Sequence, residues 1–82
     1  MPRSRRSPRQ ERLLSALQQA RAAAGLTQVE VAELLRRPQS FVSKYESGER
    51  RLDIVELLEV ADAIGLSVAD LVRQLRKLPA HG

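Results

Sequence analysis

LTQVEVAELLRRPQSFVSKYESGERRL, from Leu26 to Leu52, holds two short amphipathic helices separated by a break of a few residues. Thr27 has the chemistry of an N-cap, and Glu30 three residues later completes a capping box. Val31, Ala32 and Leu35 then form one apolar stripe. Ala32 matters by its size: a methyl group there lets two helices cross closely, and a larger side chain would push them apart. Pro38 fits the first turn of the next helix, where its missing N–H costs nothing. That helix is predicted to run to about Ser47, with Val42 and Tyr45 inward and Gly48 as its stop. Its other side carries Gln39, Ser40, Ser43 and Lys44, small polar residues and a cation that need no core around them.

Working outward, the apolar residues between Gln10 and Ala24 fall at 13, 14, 17, 20 and 24, the spacing of a helix with one buried stripe. Gly25 can supply the left-handed residue that ends it. Downstream, Asp53 can cap a fourth helix with Glu56 three residues on. Ile54, Val55, Leu57, Leu58, Val60, Ala61 and Ile64 make that helix apolar over more than half its circumference, so it is either central to the core or shared with a second chain. After Gly65, Ser67 and Asp70 open a fifth helix with Val68, Leu71, Val72, Leu75 and Leu78 as its stripe, and Pro79 stops it. The expected fold is all-α: five helices joined by short turns, over residues 9–78. Residues 1–8, five of which are arginine or proline, are expected to be a disordered basic arm, and 79–82 a flexible tail.

Composition sets limits on function. The chain has 82 residues, 43% hydrophobic and only 2% aromatic, with no cysteine. One domain fits this length, and it buries roughly 60–65% of its unfolded surface, so a partner chain would add useful burial. Disulfides and thiolate zinc sites are excluded, and no run of ~18 apolar residues is present to span a membrane. The charge is uneven. Residues 1–51 carry eleven Lys and Arg against five Glu, a net of +6, whereas residues 52–82 carry three bases against five acids, a net of −2. The first part should attract polyanions and the second should not.

A pair of short helices, the second with a polar face, has the layout of a helix-turn-helix. In that arrangement one helix braces on a phosphate backbone and the next lies in the major groove. The motifs Gly25-Leu-Thr-Gln-x-x-x-Ala32, Gln39-x-x-Val-Ser-Lys-x-Glu46-x-Gly48 and Leu57-x-x-x-Ala61-x-x-Ile-Gly65-x-Ser67 occur in that order. Together they resemble the lambda-repressor-like, Cro/Xre-type helix-turn-helix family over roughly residues 12 to 75. The resemblance implies a compact five-helix bundle and a bacterial or phage transcription regulator that binds double-stranded operator DNA, commonly as a homodimer.

The resemblance also implies roles. The recognition helix would be about 38–47. Gln28 sits where family members contact a phosphate and brace the first glutamine of that helix, here Gln39, whose amide can pair bidentately with adenine. Ser40, Ser43 and Lys44 join Gln39 as candidate base contacts, with Lys44 reaching a guanine edge or a phosphate. Arg36, Arg37, Arg50 and Arg51 join Gln28 as candidate backbone contacts. Phe41 is counted with them because its place in the pattern faces the turn and the groove. It can touch a thymine methyl or pack over the stems of Arg36 and Arg37. Tyr45 and Glu46 are expected to be structural, with Glu46 pairing to Arg50 or Arg51. Arginines replace the glycine common in the family's turn, which implies either a strained turn or a different one.

Enzymatic chemistry is poorly supplied. The only histidine is His81 near the end, so no Ser/His pair can form. No Gly-rich phosphate loop occurs, and no cofactor or metal is expected. Carboxylates at 53, 56, 59 and 62 read as a solvated or partner-facing side of the fourth helix. The expected function is therefore a cytoplasmic, nucleoid-associated DNA-binding regulator. Its expected dimer face comprises Val60, Ile64, Val68, Val72 and Leu75. The alternative is an antitoxin or protein-interaction module with a protein partner on the acidic fourth helix and the fifth.

Overall fold

The computed structural model describes residues 7–80. Five helices follow one another: α1 (Pro8–Ala23), α2 (Gln28–Leu35), α3 (Gln39–Ser47), α4 (Ile54–Ile64) and α5 (Val68–Arg76). There is no strand among the described residues. The all-α expectation is met.

The caps explain most boundaries. The Thr27 hydroxyl accepts from the Glu30 N–H while the Glu30 carboxylate accepts from the Thr27 N–H, and Asp53 and Glu56 repeat this reciprocal pair at α4. Ser67 accepts from the Asp70 N–H at the start of α5. Each box satisfies donors that a helix start leaves open, typically worth about 1 kcal/mol. Two starts differ from expectation. Helix α1 begins at Pro8, because the Ser7 hydroxyl accepts from the Gln10 N–H and a proline at the first helical position has no donor to lose. Ser7 and Pro8 thus belong to the bundle; the remainder of the expected arm, residues 1–6, lies outside the described residues, as do His81 and Gly82. Pro38 is the N-cap of α3 rather than a member of its first turn, with extended ψ of 153° and no capping side chain.

The core is built where the helices cross. Leu17 of α1, Val31 and Ala32 of α2, Phe41, Val42 and Tyr45 of α3, and Val60 and Ile64 of α4 form one buried cluster, with Leu13, Leu26, Leu35, Leu52 and Leu57 packed against it. Helix α2 packs on α3 and α4, and α1 packs on α3, α4 and α5. Polar clasps close the ends. Arg9 donates to the Leu78 carbonyl (3.0 Å), and Arg12 donates to Gln74 (3.2 Å).

The expected dimer face is corrected at two positions. Val60 and Ile64 are 1% and 3% exposed and belong to the core. The apolar circumference of α4 divides differently: Val60, Ala61 and Ile64 point in, while Ile54, Val55 and Leu58 stay 46–62% exposed.

Candidate nucleic-acid interface

Every residue of α3 is assigned to one of two sides by helical geometry. Phe41, Val42, Tyr45 and Glu46 are buried; Gln39, Ser40, Lys44 and Ser47 are exposed and Ser43 is half-buried on the same side. The exposed side is thus uniformly polar. It groups the four residues singled out as base contacts and adds Ser47, whose place one turn after Ser43 and Lys44 was legible in the helical period.

The turn that aims this side is made by Arg36. Its φ of 56° and ψ of 44° are left-handed. The Arg36 N–H donates to Glu33 (3.1 Å) and the Arg37 N–H to Ala32 (3.0 Å), closing the two loops of a Schellman turn. Gly25 and Gly65 occupy the same left-handed position after α1 and α4 without a Cβ penalty. The Arg36 Cβ costs ~1 kcal/mol there. The turn therefore keeps its left-handed geometry and carries the strain.

A chain of hydrogen bonds runs behind the polar side. Arg21 of α1 donates from Nε to Glu46 Oε2 (2.6 Å) and from Nη2 to Glu46 Oε1 (3.0 Å), and from Nη1 to the Leu26 carbonyl (3.0 Å). Gln28 Nε2 donates to Glu46 Oε1 (3.0 Å), and Gln39 Nε2 donates to Gln28 Oε1 (2.7 Å). Gln28 does brace Gln39. The partner expected for Glu46 is corrected: this buried carboxylate pairs with Arg21, 25 residues away on α1, and not with Arg50 or Arg51. Glu46 raises the Arg21 pKa, chiefly through the hydrogen bond.

Arg50 instead grips Glu56. Its guanidinium donates two bonds to that carboxylate (3.1 and 2.8 Å), and Arg37 stands 3.7 Å from the same group. The Arg50 hydrogen bonds, aided by the Asp53 N–H, push the Glu56 pKa down to about 2. Glu56 is thus no solvated or partner-facing charge; it ties the loop after α3 to the start of α4. Glu59 and Asp62 remain exposed.

Phe41 meets its packing expectation in part: Arg37 lies over it, but the second arginine is Arg50 and not Arg36. The Phe41 ring is 8% exposed and lies edge-on to Tyr45, with centroids 5.5 Å apart. The guanidinium carbons of Arg37 and Arg50 lie 4.5 and 4.9 Å from its centroid. Cations are attracted to the ring's electron-rich face. A side chain so placed is a core residue beneath two arginines and does not reach a DNA backbone. Arg36, Lys44 and Arg51 are exposed, with no side-chain ion pair among the described residues.

Beneath the site, Tyr45 is 1% exposed and burial pushes its pKa up to about 12. Its hydroxyl has no hydrogen-bond partner among the described residues. The ring lines a small cavity of about 100 Å³ with Leu13, Leu14, Leu17 and Leu52.

Comparison with known proteins supplies the last observation. A family model described as Helix-turn-helix matches residues 17–71. The chain is similar to the solved structure of an XRE-family like protein from Pseudomonas syringae pv. tomato str. DC3000: 47% identity, 85% of this chain and 88% of that chain covered, TM-score 0.79. It is also similar to the clp gene regulator ClgR from C. glutamicum: 32% identity, 94% and 100% covered, TM-score 0.74. No curated protein matches the sequence significantly. With the turn, the polar α3 face and these matches together, the chain belongs to the Xre/Cro-type helix-turn-helix family of DNA-binding transcription regulators.

Proposed function

We propose that this regulator binds an operator as a homodimer and represses by occluding promoter DNA. Helix α3 lies in the major groove with Gln39, Ser40, Ser43 and Lys44 toward base edges, while Gln28, Arg36, Arg37 and Arg51 meet phosphates. The observation that carries this reading is the uniformly polar α3 face, headed by a glutamine whose amide Gln28 holds in place. Phe41 and Arg50 act from below, by packing and by fixing the loop.

Dimerisation is supported by the apolar surface left uncovered. Ile54, Val55 and Leu58 of α4 and Leu34 of α2 are exposed, and a symmetric contact would remove such surface from water. Two recognition helices then stand ~34 Å apart, one turn of B-DNA. Selection of binding sites from a random duplex pool tests this: a dimer selects an inverted repeat with half-sites about 10 base pairs apart, centre to centre. A single half-site, with sedimentation of a monomer at high micromolar concentration on and off DNA, would contradict it. If Arg36, Arg37 and Arg51 of two subunits meet six phosphates, the log–log salt slope is about −5.

The protein-partner reading has one observation in its favour. Between α2 and α4 lies an open groove of about 450 Å³ whose apolar floor of Leu34, Leu35 and Ala63 is flanked by Glu59 and Asp62. Copurification of a basic protein lost on Glu59→Lys, with no selected DNA motif, would favour that module over the operator-binding dimer.

A further inference from the structure

The Gln28–Gln39 hydrogen bond has a direction, and the buried ion pair behind it sets that direction. A carboxylate accepts hydrogen bonds and cannot donate them. The Gln28 group 3.0 Å from Glu46 Oε1 is therefore its NH2 end. That leaves the Gln28 carbonyl oxygen for Gln39, and a carbonyl oxygen requires a donor, so Gln39 spends one of its two N–H bonds there, at 2.7 Å. What remains for a ligand is fixed: one N–H and the Oε1 of Gln39, side by side on a planar amide.

That remainder is complementary to one purine. Adenine offers the N7 acceptor and the N6 donor on its major-groove edge, whereas guanine offers two acceptors, N7 and O6. One donor beside one acceptor matches adenine, and the Gln39 oxygen would face guanine O6 with no proton between them. With the relay reversed, Gln28 would donate to Gln39 Oε1, and Gln39 would present both N–H bonds, the match for guanine.

We propose that Glu46, held by Arg21, is a specificity-determining positioning residue: through Gln28 it fixes the amide polarity of Gln39 and so commits the recognition helix to adenine over guanine. Neither residue needs to touch DNA. This rests on the reading of Gln39 as a base-contacting residue. Glu46 lies on the buried side of α3, 5% exposed.

Glu46→Gln reverses the relay while nearly preserving shape. The position of Glu46 Oε2 faces the Arg21 Nε–H at 2.6 Å, so an amide oxygen must take that place. The new amide nitrogen then stands where Oε1 stood, facing Gln28, which turns its carbonyl toward it and its NH2 toward Gln39. Arg21 Nη2 loses an acceptor but belongs to a side chain 21% exposed, within reach of water.

The test begins with site selection from a random duplex pool by the full chain and by Gln39→Ala. The base position whose preference vanishes in Gln39→Ala is the one that Gln39 reads. Were none to vanish, the base-contact reading itself would fail, and this proposal with it. At the located position, fluorescence anisotropy compares duplexes carrying adenine and guanine. The wild-type chain is expected to favour adenine by about tenfold or more, and Glu46→Gln to shift the ratio toward guanine by about tenfold. A purely structural role would weaken both duplexes alike and leave the ratio unmoved. Should Glu46→Gln not fold, as read by its thermal transition, Gln28→Ala keeps the Arg21–Glu46 pair and removes the relay together with the Gln28 phosphate contact, a loss common to both duplexes that leaves their ratio to report the relay. Its adenine-to-guanine ratio is expected to collapse to within about threefold of unity. A folded Glu46→Gln or Gln28→Ala that keeps the wild-type ratio overturns the proposal, as does a wild-type preference for guanine at the position that Gln39 reads.

Discussion

Arg21→Met is the substitution that should reveal how much of this small bundle hangs on one buried charge. The methionine keeps the aliphatic stem and removes the guanidinium, which takes away both bonds to Glu46 and the bond to the Leu26 carbonyl. Glu46 is left 5% exposed with Gln28 as its remaining side-chain donor. Stranding one partner of a buried ion pair costs about 3–5 kcal/mol, and because the Arg21 side chain is 21% exposed the lower end applies. For a chain of this length the whole folding stability is about 4–12 kcal/mol. A loss of ~3 kcal/mol lowers the melting temperature by about 12–24 °C. The assay is urea unfolding followed by far-ultraviolet circular dichroism at pH 7. An internal control is at hand in the Arg73–Asp70 pair of α5, whose side chains are 69% and 60% exposed; Arg73→Met should cost less than about 1 kcal/mol. Arg21→Met with Glu46→Met removes the stranded charge and should recover part of the loss. If Arg21→Met costs no more than Arg73→Met, the ion pair does not hold α3 to α1, and the account of the site's rigidity is wrong.

Three further outcomes follow from the same geometry. Tyr45→Phe removes a buried hydroxyl with no partner among the described residues, so it should be neutral or stabilising by up to ~1 kcal/mol in the same urea assay; a loss above that would reveal a water held in the adjoining cavity. Arg36→Gly relieves left-handed strain of ~1 kcal/mol while adding chain entropy to the unfolded state, so stability should rise by less than ~1 kcal/mol even as DNA affinity falls. Unchanged affinity would remove Arg36 from the phosphate contacts. For Glu56, the folded pKa near 2 lies below the ordinary value of 4.5. Its contribution is therefore present above pH 4.5 and lost as pH falls toward 2. The stability gap between wild type and Glu56→Gln should be level above about pH 5 and close across that window; a gap that persists at pH 2 would contradict the pairing with Arg50 and Arg37.

Local chemistry made the architecture legible. Thr27 with Glu30, Asp53 with Glu56, and Ser67 with Asp70 marked helix starts because a cap needs only residues three apart, and Gly25, Gly48 and Gly65 marked the stops. The candidate face was legible for the same reason, since helical period alone puts Gln39, Ser40, Ser43 and Lys44 on one side. What failed was long-range. Nothing near Glu46 in sequence distinguishes Arg50 and Arg51, the close arginines, from Arg21, which reaches it only because α1 crosses α3. Helix α4 is apolar over so much of its circumference that periodicity does not say which part is core. Val60 and Ile64 went inward because α2 and α1 pack on that side of α4, leaving Ile54, Val55 and Leu58 outside. Phe41 was legible in part: packing with Arg37 was expected from their nearness in sequence, whereas Arg50 is brought over the ring by the loop that Glu56 fixes.

The central claim is that the α3 face reads sequence while the arginines around it grip, and one quantity separates the two. That quantity is the ratio of specific to non-specific affinity, measured by fluorescence anisotropy on the selected operator and on a scrambled duplex of equal length. Gln39→Ala should cost ~1–3 kcal/mol on the operator and little on the scrambled duplex. Arg51→Ala should weaken both by similar factors and reduce the salt slope by about one unit per subunit. A folded Gln39→Ala that leaves the ratio at the wild-type value would contradict the account, because the amide held by Gln28 would then carry no sequence information.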